Sequence, residues 1–390
     1  MEEDKANGTA TIKINDKNLA KFVNNIDAHL LLVLINDALE NKTYSEKSLL
    51  TQKYKVLQET YMNGEARRVS SLLGTEESEK EALEKQQNTL EALQTDLKDK
   101  ANKLNEFLKS KEFKDFLSSD EKNKDRRAFL QKNEISDDDK QALFEYAKFL
   151  YECGQYDDAL KILTDYPQVS KPSHIHAVIW GLLNSQILLG ESQSKSLEGT
   201  FEYLKALIFQ SKTKKQDSEK MYQKNMLLNT ALFVFPYTKD PSAFLYDLYS
   251  SNESIISSIS PHLNRYYATA AMLQGKTVSI LQRDSYQEMF LVALLEEFDF
   301  DQSFRMIGDV VKACKNDYFL KSISDKVEES CQKLIIHTYS KAHDSININR
   351  FATNLGKNEQ DSIKFIQSVL DDNKIENKLS DDKSEIVIIN

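Results

Sequence analysis

Apolar residues recur at helical spacing along most of the chain. Near the start, Leu30 to Ile35 form an unbroken aliphatic run, and a second apolar stripe runs from Leu49 to Tyr61. A segment that is apolar on every side predicts a helix buried in a core. A leucine-rich nuclear export signal has a similar composition, but a run of this length is more typical of a core helix.

Leucines recur every seven residues between Glu76 and Ser110, at Leu83, Leu90, Leu97 and Leu104. The intervening positions of this stripe are less apolar, because two of them are Gln87 and Gln94. A dimeric coiled coil needs both sets of positions to be apolar. The pattern therefore predicts one long charged helix that lies against the body of the protein. A charge-rich surface connection is predicted after it, over residues 111–133.

A helical hairpin is predicted from Ser136 onward. Ser136 and Asp139 have the spacing of a capping box, and the turn at Gly154 separates two apolar stripes. Large and small residues occupy the positions expected of a tetratricopeptide repeat, in which small side chains let two antiparallel helices approach closely. Weaker hairpins follow as far as Cys314. Such hairpins stack into a helical-repeat array, because one hairpin alone cannot bury its apolar face.

The last part of the chain predicts a small winged helix. Asn349 is a candidate cap for a short helix that stops at Gly356. Asn358 and Asp361 have capping-box spacing and predict the start of a second helix. A β-branched run with the composition of a strand then follows a turn. The predicted fold class is an all-α helical repeat that ends in a small α+β winged helix.

The β-branched run is the candidate partner interface. It is apolar on both faces, whereas a strand at a free surface is normally polar on one face. An uncovered apolar edge invites pairing with a strand of another chain. We therefore predict contact with a partner through Ile386, Val387, Ile388 and Ile389.

Many winged helices read DNA, but the charge of this one disfavours that function. From Ile346 to Asn390 there are eight acidic and six basic residues. Its second helix carries Asp361, Asp371 and Asp372. A duplex binder needs several cations on that helix to neutralise phosphates. The module is therefore predicted to contact protein.

Composition narrows the possibilities for the rest of the chain. Only 10 Gly and 5 Pro occur in 390 residues, which favours a mostly helical protein. The net charge of -10 argues against bulk binding of a polyanion. The acidic start suggests no signal peptide, and no aliphatic run is long enough to span a bilayer. The cysteines Cys153, Cys314 and Cys331 are scattered, as expected of reduced thiols in the cytosol.

No enzyme motif or metal site is predicted. His174 and His176 form a His-x-His pair like that of a metalloprotease, but Ser185 is followed by Leu188 where the third metal ligand should be. Zinc needs at least three converging ligands. Cys331, His337 and His343 lie on different helix faces. No catalytic, metal-binding or cofactor-binding residue is assigned, and no cofactor or small-molecule substrate is expected.

A cluster of lysines offers a second candidate contact. Lys212, Lys214 and Lys215 lie in a long polar segment, from Ser192 to Lys220, that is predicted to be a loop. They could touch phosphates of mRNA or ribosomal RNA. The alternative is a solvated loop, which is favoured because sequence-independent phosphate binding usually takes more cations.

Several segments resemble one family of PCI-domain proteins, that of the E subunit of eukaryotic translation initiation factor 3. They are LFEYAKFLYECGQYDDALKIL (Leu143 to Leu163), VALLEEFDFDQSFRMI (Val292 to Ile307) and HDSININRFATNLG (His343 to Gly356). The opening AHLLLVLI and YSEKSLL are also similar. The resemblance implies a PCI domain and a non-catalytic scaffold that helps to assemble the factor and to recruit mRNA. The alternative with the same fold is a scaffold of the proteasome lid or the signalosome.

The resemblance also implies partners and a location. The partners would be other PCI and MPN subunits of the factor and the small ribosomal subunit, with no membrane contact. The location would be the cytoplasm, with some protein in the nucleus. The predicted divisions are a disordered segment (1–18), a helical region with the long charged helix (19–135), tetratricopeptide-like hairpins (136–220) and a PCI domain. The PCI domain comprises a helical part (221–330) and the winged helix (331–390).

Overall fold

The computed structural model describes residues 19–42, 44–118, 126–169, 174–210, 217–278 and 282–389. The chain forms two compact units, residues 1–216 and residues 217–390. The described helices of the first unit are α1 (Ala28–Glu40), α2 (Glu46–Leu57), α3 (Asn63–Leu73), α4 (Glu76–Lys109), α5 (Lys111–Ser118), α6 (Arg126–Lys132), α7 (Asp137–Glu152), α8 (Tyr156–Asp165), α9 (Ile175–Leu189) and α10 (Ser194–Gln210).

The second unit is helical and ends in a small antiparallel sheet. Its elements are α11 (Asp217–Val234), α12 (Pro241–Ser250), α13 (Glu253–Ile259), α14 (Asn264–Gln274), α15 (Tyr286–Leu295), α16 (Phe300–Lys315), α17 (Ser324–Ala342), β1 (Ser345–Asn347), α18 (Ile348–Leu355), α19 (Glu359–Asp372), β2 (Asn377–Leu379) and β3 (Glu385–Ile388). Consecutive helices pack as hairpins, and a winged helix closes the unit, which confirms the predicted fold class.

Helix α1 contains the predicted core run. Leu30 and Ile35 are completely buried, and in the run between them only Val33 keeps intermediate exposure. Asp27 caps the helix by accepting a hydrogen bond from the backbone N–H of His29. An export receptor needs its leucines exposed, so the burial supports the core interpretation of this segment.

The long helix α4 lies against helix α7 of the same unit. Leu90 and Leu97 pack with Phe149 of α7, and Leu104 is fully buried. This confirms a single charged helix with one leucine stripe on the protein body. The segment after it was predicted as a surface connection, but it contains α5 and α6. Phe113 is buried there, and Phe116 stacks on Phe129 at 3.9 Å between ring centroids.

The predicted hairpin is formed by α7 and α8. The capping box is complete, because the Ser136 hydroxyl accepts a hydrogen bond from the Asp139 N–H, and the Asp139 carboxylate accepts one from the Ser136 N–H. Gly154 has a φ of 78° in the turn, a conformation that glycine adopts without a steric penalty. The predicted capping box and the predicted turn at Gly154 are therefore both confirmed.

The prediction of a loop from Ser192 to Lys220 is wrong. Most of that segment forms α10 and the start of α11. Helix α10 buries an apolar stripe at helical spacing, comprising Leu197, Phe201, Leu204 and Ile208. The stripe was present in the sequence, but the many polar residues on the opposite face of the helix obscured it.

Candidate partner interface on the winged helix

The candidate strand β3 lies in the middle of a three-stranded sheet whose strand order is β1-β3-β2. It pairs antiparallel with both neighbours, so that Val387 lies between Ser345 of β1 and Lys378 of β2. Strand β1 was not predicted. Because β1 pairs with the edge of β3 that faces away from β2, the prediction that the terminal strand is a free edge is wrong. Within the described sheet, the outer strands are β1 and β2.

The two faces of β3 have different environments. Ile386 and Ile388 point into the module and keep only 0% and 5% of their surface exposed. Val387 keeps 41% and Ile389 keeps 49%, on the opposite face. Successive side chains on a strand alternate between its faces, which accounts for this division. Ile386 and Ile388 therefore hold the fold together, and only Val387 and Ile389 are available to a partner.

The buried face of the sheet packs on the two helices of the winged helix. Phe351 of α18 and Ile366 and Leu370 of α19 are almost completely buried. Asn347 caps α18, two residues before the predicted cap, because β1 runs directly into the helix. Gly356 ends α18 at a φ of 63°, as predicted. This core does not use the side chains of Val387 and Ile389.

The winged helix is anchored to the helical part of the same unit by aromatic contacts. The ring of Phe351 lies 5.4 Å from that of Phe304 in α16 and 4.9 Å from that of Tyr339 in α17. Arg350 also forms an ion pair of 2.6 Å with Asp301. These contacts hold the sheet in a fixed orientation within the second unit.

Helix α19 begins where the sequence predicts, and its surface is acidic. Asn358 caps the helix by accepting from the Asp361 N–H at 2.8 Å. Asp361, Asp371 and Asp372 are exposed, together with Lys364. The phosphates of a DNA groove would repel this acidic surface, so the structure disfavours DNA binding through α19.

Residues Lys212, Lys214 and Lys215 lie outside the residues that the structure describes. The candidate RNA contact therefore stays a prediction. The paired histidines lie at the start of α9, where His174 stacks on Phe144 at 5.2 Å and Ser185 is buried further along the helix. Among the described residues, no group of three or more His, Cys, Asp or Glu could hold a metal ion.

Cys314 and Cys331 are buried, and Cys153 is partly buried. The pKa of the Cys153 thiol is raised to about 11, mainly by burial and to a smaller extent by the nearby Glu152 carboxylate. Burial also raises the pKa of Cys314 and Cys331. A thiol whose pKa is raised remains protonated at neutral pH and is a poor nucleophile.

A buried polar network connects α1 to the first hairpin, and sequence reasoning missed it. Asp27 accepts a hydrogen bond of 2.6 Å from the Tyr151 hydroxyl, and His29 Nδ1 lies 2.9 Å from the Tyr156 hydroxyl. Burial raises the pKa of Asp27 and of Tyr151. The partners are more than 120 residues apart in sequence, so no local pattern links them. The network fixes the first helix on the hairpin.

In the second unit, helical hairpins run into a winged helix, which is the arrangement of a PCI domain. The family described as eIF3 subunit 6 N terminal domain matches residues 19–150. Proteins named as the E subunit of eukaryotic translation initiation factor 3 are similar over 93% of this chain in Monosiga brevicollis (26% identical, 77% of that protein) and Arabidopsis thaliana (24%, 88%), and over 95% in Pyricularia oryzae (26%, 89%). The chain is therefore similar to the E subunit of this initiation factor over nearly its whole length, and the family model matches its N-terminal part.

Among the described helices, none is long and apolar enough to cross a membrane.

Proposed function

We propose that this chain is a non-catalytic scaffold subunit of eukaryotic translation initiation factor 3. The observation that carries the proposal is similarity to the E subunits of that factor over 93% to 95% of the chain, a range that includes both helical units. A scaffold with the same fold could belong to the proteasome lid or the signalosome. The names of the relatives favour the initiation factor.

The proposed role is to hold other subunits in place while the factor assembles and recruits mRNA to the small ribosomal subunit. Helical repeats present large surfaces to partners, and the exposed face at Val387 and Ile389 is an apolar patch of the kind that partners cover. The proposed partners are other PCI and MPN subunits of the factor and the small ribosomal subunit. Direct contact with RNA through Lys212, Lys214 and Lys215 is the less favoured interpretation of that segment, because sequence-independent phosphate binding usually takes more cations.

The proposed location is the cytoplasm, where translation initiates, with some protein in the nucleus. No catalytic step is assigned to the chain, since the relatives are initiation factor subunits and the buried thiols are poor nucleophiles.

Sedimentation of a cell extract on a sucrose gradient tests this function. The chain should sediment in a complex of many different subunits and also with the small ribosomal subunit. Sedimentation as a free monomer at its own mass of 44.8 kDa would contradict the scaffold role.

A further inference from the structure

Phe298 occupies an unusual position, in the turn between α15 and α16. Its φ is 53°, in the left-handed region, and 56% of its surface is exposed. Helices α3, α14 and α18 each end with a left-handed glycine, at Gly74, Gly275 and Gly356. Polar residues such as Lys42 also adopt this conformation, but Phe298 is the only aromatic residue that does so among the described residues. A bulky side chain in this conformation reduces stability relative to glycine. With so much of its surface exposed, packing within the chain does not account for a phenylalanine here.

The turn around Phe298 is held rigidly. The Asp299 N–H donates a hydrogen bond to the Ala293 carbonyl at 2.8 Å, and the Asp299 carboxylate accepts one from the Gln302 N–H, also at 2.8 Å. Arg283 contacts Glu297 at 2.9 Å from the preceding loop. A ring presented on a fixed backbone loses little conformational entropy when a partner covers it, which is typical of an interface hot spot.

The charges around the ring indicate which partner it fits. Acidic side chains flank Phe298 on both sides in the sequence, comprising Glu296, Glu297, Asp299 and Asp301. Arg283 and Arg350 contact this group, which leaves an excess of negative charge. An exposed aromatic ring can stack on a nucleic-acid base, but here the carboxylates would repel the phosphates. They attract lysine and arginine side chains instead.

We propose that Phe298 anchors a protein partner by inserting into an apolar pocket that is rimmed by basic residues. The inference rests on the proposed function to the extent that the partner is another subunit of the same factor. The anchor is distinct from the sheet face at Val387 and Ile389, because Phe298 lies in the turn between α15 and α16 and not in the sheet. The phenylalanine is kept at the expense of stability because it contributes to binding.

The test compares full-length variants for stability and for association. Phe298→Gly removes both the strain and the ring, so it should raise the melting temperature by about 2–4 °C. It should also reduce the amount that copurifies with the factor at least tenfold, as expected for a hot spot. Phe298→Leu keeps an apolar side chain and should retain more association than Phe298→Gly. Lys42→Gly is the matched control, because Lys42 is exposed with a φ of 51°. It should gain stability and lose no association.

The outcomes for the variants and for the wild type separate the anchor from the proposed function. If Phe298→Gly associates like the wild type, or if it melts at a lower temperature than the wild type, the anchor is refuted. If the wild-type chain itself does not copurify with the factor, the proposed function fails and the anchor fails with it. Loss with Phe298→Gly while the wild type and Lys42→Gly are retained would support the anchor alone.

Discussion

Replacing Val387 and Ile389 together with lysine should release the chain from its complex without unfolding it. A fully buried valine or isoleucine contributes about 1.5–3 kcal/mol. The free chain leaves 41% and 49% of these residues exposed, so a partner that covers them gains about 1 kcal/mol from each. Losing about 2 kcal/mol weakens binding about 30-fold. Burying two ammonium groups at the interface would weaken it further.

The fold should survive this double substitution. Changes at exposed positions usually alter the free energy of unfolding by less than about 0.5 kcal/mol each. The core of the module is made by Ile386, Ile366 and Leu370, which are unchanged. Far-ultraviolet circular dichroism and urea unfolding should therefore match the wild type. On a sucrose gradient, the variant should leave the heavy fractions.

A matched control separates interface loss from a general effect of lysine. Leu72 and Leu117 are exposed by 59% and 42%, and both lie in the first unit. Leu72→Lys with Leu117→Lys makes the same kind of change outside the winged helix, and it should stay in the complex. If the Val387→Lys, Ile389→Lys chain also remains there at the wild-type level, the sheet face is not an interface.

Three further predictions concern stability and chemistry. Hydrogen bonds from Arg68, and also from the buried Lys53, lower the pKa of Glu65 to about 2. Glu65→Gln should lower the free energy of unfolding by about 2 kcal/mol at pH 7. This loss should shrink as the pH falls from 4.5 toward 2, because the wild-type carboxylate becomes protonated over that range. Urea unfolding at pH 7 and near pH 2 measures the loss, and a loss that is equal at the two pH values would contradict the prediction. Leu104→Ala should cost about 2–5 kcal/mol because Leu104 is fully buried, whereas Leu72→Ala should cost little; equal urea midpoints for the two would refute the packing of α4. Elemental analysis of the purified chain should find no stoichiometric zinc, and one zinc per chain would reverse the non-metal assignment.

Local patterns in the sequence predicted several helix starts, although they missed α5, α6 and α10. The capping box at Ser136 and the cap at Asn358 lie where the sequence places them, since a cap depends on residues only three apart. The leucine stripe of α4 was equally informative.

Features set by distant parts of the chain could not be predicted in this way. The central place of β3 depends on pairing with β1, about forty residues earlier in the sequence, and three residues give β1 too little periodicity to detect. Pairing then decides which side chains are buried, so the candidate interface shrank from four residues to Val387 and Ile389. The contact between Asp27 and Tyr151 is equally remote in sequence. The left-handed conformation of Phe298 is likewise a property of the folded turn.

The most direct test of the central claim is affinity purification of the tagged full-length chain, followed by quantitative mass spectrometry. If the chain is a scaffold subunit of translation initiation factor 3, the other subunits of that factor should copurify in amounts close to one per chain. Recovery of proteasome-lid or signalosome subunits in those amounts, or of the chain alone, would contradict the account.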